Sequence, residues 1–260
     1  MSTPVVSKPP LVRSRVWSPL ALLVLWELAS LSGLIAPRTL AAPHQIVGTF
    51  VELVRTNELP SNLLVSFGRV LAGLSIGVTI GTGLALASGL SRDGELVVDS
   101  PLQMLRTLPT LALSPLFIVW FGIGEAPKVA LIAFGTVFPV YINLYSGVRG
   151  VDVRLVEAAR SFGLTRRELI SEVILPGALP SFLVGLRYAL SVSVLILVVA
   201  EQINASRGLG FLINNARDFM RTDVIVVCLV VYAGLGLGAD FLVRALERRA
   251  LAWRPSLLGS

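Results

Sequence analysis

Four ionisable residues stand inside long apolar stretches of this chain: Glu27, Arg69, Arg187 and Glu201. Charge at bilayer depth is costly, so such residues mark either pairs between helices or a path for polar cargo. Arg69 and Arg187 have the chemistry to attract an anion, although each could equally snorkel towards an interface. Tyr141, Asn143, Ser191 and Ser193 are milder groups suited to weak, transient contacts. The candidates for a translocation path are therefore Arg69, Arg187, Asn143 and Ser191. Glu27, near mid-span, is costly to bury alone, so it reads as half of a structural pair in the bundle. Glu201 reads as support for the polar loop after it, with Arg207 as a nearby partner. One histidine (His44) and one cysteine (Cys228) leave no Cys/His metal cluster and no internal disulfide framework. No G-x-x-x-x-G-K-[ST] loop is present to cradle nucleotide phosphates. Neither a catalytic nor a metal-ligating set is expected.

The elements that carry these residues are membrane helices. The chain is 54% hydrophobic and 15% charged, where soluble domains carry about 25% charged residues. Crossing the hydrocarbon takes roughly 20 apolar residues in a helix. Six windows qualify: from about Trp17 to Ala36, between Arg69 and Arg92, between Arg106 and Glu125, between Lys128 and Arg149, from the Pro176/Pro180 pair to Glu201, and between Asp223 and Arg244. The expected fold is an all-α polytopic bundle of six transmembrane helices. The N-terminal tail, the second and fourth loops and the C-terminal tail hold fourteen of the 22 Lys and Arg; the other loops hold six. By the positive-inside bias both termini face the cytoplasm, with tails at 1–16 and 251–260 flanking a six-helix transmembrane domain at 17–250. The first apolar run is long and has no clear cleavage site, which reads as an uncleaved anchor. The net charge of +6 follows from this bias and does not require nucleic acid.

Local patterns refine the picture. Pro43 opens a short amphipathic helix with Ile46, Val47, Phe50, Val51 and Val54 at three-and-four spacing, expected at the outer interface. Gly73, Gly77 and Gly81, four apart, let another helix approach closely. Pro109 and Pro115 predict a kinked third span that lines a pathway or improves packing. The segment 203–222 predicts a short helix or re-entrant piece guarding the outer mouth.

The most charged stretch, 152–176, is a cytoplasmic two-helix segment. Asp152 caps the first helix, Gly163 breaks it, and Thr165 with Glu168 forms a capping box for a second that stops before Pro176. Leu169, Ile170, Val173 and Ile174 form one apolar stripe; Val153, Val156, Ala159 and Phe162 form the other. Four arginines balance four acids between Asp152 and Glu172, which disfavours a DNA-reading helix-turn-helix. The pattern is that of a protein-docking ledge.

Glu157-Ala158-Ala159, Gly163, and then Val173 with Leu175-Pro176 resemble the EAA signature of inner-membrane permeases of binding-protein-dependent ABC importers; Val173 stands where isoleucine is common. Further stretches, among them "FGTVFPVYINLYSGVR" and "LPGALPSFLVGLRYAL", extend the resemblance to the nitrate, sulfonate and taurine group, and most of all to its aliphatic-sulfonate branch. The resemblance implies a transport subunit of a bacterial inner membrane that moves alkanesulfonates. It implies that Glu157, Ala158, Ala159 and Gly163 seat in an ABC ATPase dimer, which holds the ATP and magnesium; no cofactor is implied for this subunit. A second copy of the permease, an extracytoplasmic binding protein and membrane lipid are the implied partners. Taurine, nitrate or a pyrimidine precursor are alternative cargoes. A proton-driven secondary transporter is the alternative mechanism, weakened by having only Glu27 as a carboxylate near a midplane.

Overall fold

The computed structural model describes residues 11–36, 38–203 and 205–251. Most of the two expected tails lies outside the described residues. The described chain is helical, with no strand among them: α1 (Leu11–Leu31), α2 (Pro43–Arg55), α3 (Glu58–Leu90), α4 (Arg92–Leu105), α5 (Thr110–Phe121), α6 (Ala126–Arg149), α7 (Val153–Ser161), α8 (Arg166–Gln202), α9 (Leu209–Asp218) and α10 (Thr222–Ala250). It divides into two compact units, residues 1–60 with 212–229 and residues 61–211 with 230–260.

Four helices, α3, α6, α8 and α10, are long and apolar enough to cross a membrane, and a fifth span arises if α4 and α5 count together. The expected count of six is not confirmed among the described residues. Among residues with described side chains the apolar run of α1 is Trp17–Leu31, and Gly33, at φ +77°, lies just past the helix end. In the third window Pro109 breaks the chain outright, leaving α4 and α5 at 86°. Pro115 sits in the first turn of a helical stretch, where its missing N–H costs nothing, and does not kink it.

In the smaller unit α2 forms where Pro43 predicts it. Its buried face is Thr49 and Leu53, while Val47, Phe50, Val51 and Val54 stay exposed. The expected apolar stripe thus points away from this unit's interior. Thr49 Oγ1 donates to Asp223 Oδ2 at 2.7 Å, and Glu27 finds its partner in His44, Oε1 to Nδ1 at 2.7 Å. The pairing expected for Glu27 joins it to the sole histidine.

The larger unit is built around α6, whose Leu131, Ile132, Val140, Tyr141 and Leu144 are all buried. Two helices press against it through glycines. A Cβ on Gly73 would lie 2.6 Å from Ile132 Cγ2, one on Gly77 would overlap Thr136 Oγ1, and one on Gly81 would lie 2.8 Å from the Val137 carbonyl. From the other side, a Cβ on Gly185 of α8 would lie 2.9 Å from the Pro139 carbonyl. The glycine stripe of α3 is therefore its contact with α6. Gly77→Val is expected to lower the unfolding midpoint of the purified protein, by an overpacking cost of about 1–3 kcal/mol. Gly83→Ala, whose Cβ would meet nothing within 4 Å, should leave the midpoint unchanged.

Candidate functional site: a docking hairpin and a buried charge network

The hairpin forms as its caps dictate. The Asp152 side chain accepts from the Arg154 N–H at 2.9 Å, α7 closes at Gly163 with φ +83°, and the Leu164 N–H reaches back to the Ala159 carbonyl at 3.2 Å, a Schellman-type end. Thr165 and Glu168 then make the reciprocal capping box. The second helix does not stop before Pro176. It continues as α8 for 37 residues, through a π-helical stretch at Leu169–Ile174 where the Leu175 N–H bonds the Ile170 carbonyl. Pro176 has no N–H for Glu172, and the wider turn lets the helix run past it.

On α7 only Ala159 is buried; Glu157 and Ala158 are exposed. Val153, Leu155 and Phe162 are also exposed, Phe162 at 85%. Of the first helix's apolar stripe, Ala159 is buried while Val153 and Phe162 face out. An exposed phenylalanine beside a left-handed glycine is an apolar knob with a fixed backbone. The residue-type pattern marked the ledge but did not show which of its apolar groups are free.

A second assembly lies at the far end of α8. Glu201 is fully buried, and Arg69 of α3 is 3% exposed. Arg69 Nη1 donates to Glu201 Oε1 at 2.5 Å and to the Arg207 carbonyl at 2.9 Å. Glu201 also accepts from Ser66 Oγ at 2.7 and 2.9 Å, from the Gly210 N–H at 2.9 Å and from Tyr232 Oη at 2.9 Å. Four helices thus converge on one carboxylate. A buried charge is tolerated when it is paired and saturated with donors, and Glu201 meets both conditions. The Gly208-Leu209-Gly210 segment folds directly over it: a Cβ on Gly208, already at φ +110°, would lie 2.5 Å from Glu201 Oε1. Its N–H is fixed by Asn62 Oδ1 at 2.7 Å.

The other edge of the Arg69 guanidinium is held by Glu125, with Nε to Oε2 at 2.5 Å and Nη2 to Oε1 at 2.6 Å. Glu125 precedes α6 and its side chain is 59% exposed. The hydrogen bond from Arg69 holds its carboxyl below the ordinary carboxylate range. Because the folded-state value is lowered, this contribution is complete above the ordinary value and is lost only as pH falls through the lowered one. Around neutrality Glu125 is a fixed negative charge.

A third set was not foreseen. Tyr141 Oη donates to Asp99 Oδ1 at 2.7 Å and Tyr145 Oη to Glu95 Oε1 at 2.6 Å, while Arg149 pairs with Glu95. The tyrosines stack with centroids 5.7 Å apart. Two carboxylates four residues apart on α4 meet two tyrosines four residues apart on α6; that matched spacing was the available signal. It fastens α4 to the end of α6 that leads into the hairpin.

The structure does not gather the four path candidates. Arg69 is in the Glu201 network, and Arg187 pairs with Glu247 and lies 3.6 Å from Asp240. Fourteen residues of α8 separate Arg187 from Glu201, about 21 Å of rise. Asn143 Nδ2 donates to the Pro139 carbonyl at 2.8 Å, and Ser191 Oγ to the Arg187 carbonyl at 3.2 Å. Each therefore bonds its own helix. Glu201 pairs with the side chain of Arg69 and takes no bond from that of Arg207 among the described contacts.

Comparison with known proteins agrees with this architecture. Residues 62–251 match the family described as binding-protein-dependent transport system inner membrane components. The chain belongs to that family: it is a multi-pass membrane subunit of a transport system, not an enzyme, and such subunits work with a solute-binding protein and an ATPase. It is 48% identical to the putative aliphatic sulfonates transport permease protein SsuC of Escherichia coli (strain K12), over 98% of this chain and 97% of that protein. It is 42% identical to the protein of the same description in Bacillus subtilis (strain 168), over 93% and 87%. Among solved structures, an amino acid ABC transporter with histidines superposes with a TM-score of 0.63 at 22% identity, covering 77% of this chain and 98% of the other.

Proposed function

We propose that the chain is the permease subunit of an ATP-driven importer of aliphatic sulfonates, working as a pair of identical copies. The observation that carries the cargo is the 48% identity to a relative described as an aliphatic sulfonates permease, sustained over nearly all of both chains. The docking hairpin supports the motor: Glu157, Ala158, Ala159 and Gly163 sit on a capped, exposed α7 with Phe162 beside them. One chain offers one hairpin, and an ATPase dimer offers two docking grooves, which is why two copies fit. Both termini then lie on the ATPase side, as the Lys and Arg distribution predicts. Proteoliposomes holding the permease, its ATPase and its binding protein should accumulate labelled ethanesulfonate on addition of ATP. Accumulation of taurine or nitrate with none of ethanesulfonate would move the cargo elsewhere in the group. Failure with every organic anion would remove the importer reading.

A further inference from the structure

Within the Glu201 network the two carboxylates on Arg69 are unlike. Glu201 is fully buried, takes donors from four directions, and has no way out without dismantling helix packing. Glu125 is 59% exposed and stands on a short loop whose Gly122 and Gly124 have φ values of +76° and +150°. It occupies the Nε/Nη2 edge of the guanidinium with both oxygens, 2.5 and 2.6 Å away. That edge is the planar fork that recognises carboxylates, phosphates and, by the same in-plane pair of oxygens, sulfonates.

We propose that Glu125 is a resident stand-in for cargo: when its side chain swings out, the Nε/Nη2 fork of Arg69 binds the sulfonate head group of an organic sulfonate. The exchange conserves charge. Arg69 and Lys128, whose Nζ is 4.0 Å from Glu125 Oε1, face Glu125 and Glu201 before it; the incoming monoanion takes over the role of Glu125 after it. Arg69 is never left with an uncompensated charge in a buried site, which is the costly alternative. The bound anion has to displace an ionised carboxylate, so the site is weak while the loop is closed and strong once the loop is drawn away. That is what a transporter needs of an intermediate stop. The expelled Glu125 carboxylate is left in solvent, where it already stands for most of its surface.

This rests on the sulfonate reading of the previous subsection, and the experiment separates the two. The permease–ATPase complex in lipid nanodiscs, without binding protein, is titrated with ethanesulfonate as wild type, Glu125→Gln and the double variant Glu125→Gln with Arg69→Lys. Glu125→Gln is expected to bind at least tenfold more tightly than wild type, since the competing anion is gone. The double variant, which keeps the positive charge but loses the fork, is expected to lose that gain. Equal binding by wild type and Glu125→Gln, in a preparation whose wild type imports ethanesulfonate, overturns the site and leaves the transport reading standing. A gain that survives Arg69→Lys overturns it too, by showing a general charge effect. If the double variant does not fold, Glu125→Gln titrated with chloride decides instead: tightening for ethanesulfonate alone supports the fork, and equal tightening for chloride, which has no pair of oxygens to offer it, overturns the site. Should wild type import no sulfonate at all, both readings fall together.

Discussion

Glu201→Ala should be among the most destabilising single substitutions in the chain. It leaves Arg69, 3% exposed, with Glu125 and the Arg207 carbonyl as its remaining partners, and it removes the acceptor of Ser66 Oγ and of the Gly210 N–H. Breaking a buried pair from one side costs about 3–5 kcal/mol, and each orphaned buried donor adds about 1–3 kcal/mol where no water replaces the partner. Against a total stability of about 5–15 kcal/mol, the loss reaches the scale at which the protein no longer accumulates folded. Replacing both charges with apolar residues of similar size, Arg69→Met with Glu201→Leu, should cost less than Glu201→Ala alone, because no unpaired charge remains. Thermal melting of the detergent-solubilised variants measures the ordering. A double variant melting below the single one would mean that the pair stabilises the bundle through its net attraction, contrary to this account.

The second large effect belongs to the hairpin. Gly163 has φ +83°, and a Cβ there would meet nothing within 4 Å, so a side chain is opposed by backbone strain and not by packing. Gly163→Ile places a β-branched residue in the left-handed region, at more than the roughly 1–2 kcal/mol an ordinary residue incurs there. Combined with Glu157→Lys, it should abolish ATPase co-purification and cut ATP-driven uptake at least tenfold while the protein stays inserted. Gly163→Asn should retain much of the coupling, since asparagine tolerates this backbone region. A Gly163→Ile, Glu157→Lys protein that keeps its ATPase and its uptake would show that α7 is not the docking element.

What could be read ahead of the structure was local. Asp152, Gly163 and the Thr165/Glu168 box specify their helix ends through atoms at most five residues away, and Gly73, Gly77 and Gly81 announce a close helix contact by spacing alone. Pro176 misled because a proline's missing donor predicts a stop, whereas a helix with tertiary support can widen into a π turn and continue. The third apolar window turned on the same kind of point: a window gives length, and one residue such as Pro109 decides whether that length stays straight. The Arg69–Glu201 pair joins positions 132 apart in the chain. Both were recognisable as costly in a membrane; nothing in either segment named its partner. The Asp99–Tyr141 contact was hidden more deeply, since Asp99 lay in what reads as a loop.

α8 ties the two ends of this molecule together. It runs unbroken from the capping box at Thr165 to Glu201, 37 residues or about 55 Å of rise, with its only irregular turn at Leu169–Ile174, next to the hairpin. A rod hinged near one end multiplies angle into displacement: about 40 Å of helix lies beyond that joint, so a tilt of about 5° there sweeps the Glu201 end through about 3.5 Å. The Arg69–Glu201 hydrogen bond, at 2.5 Å, is shorter than that stroke, so a modest nod at the hairpin end is enough to pull the far charges apart.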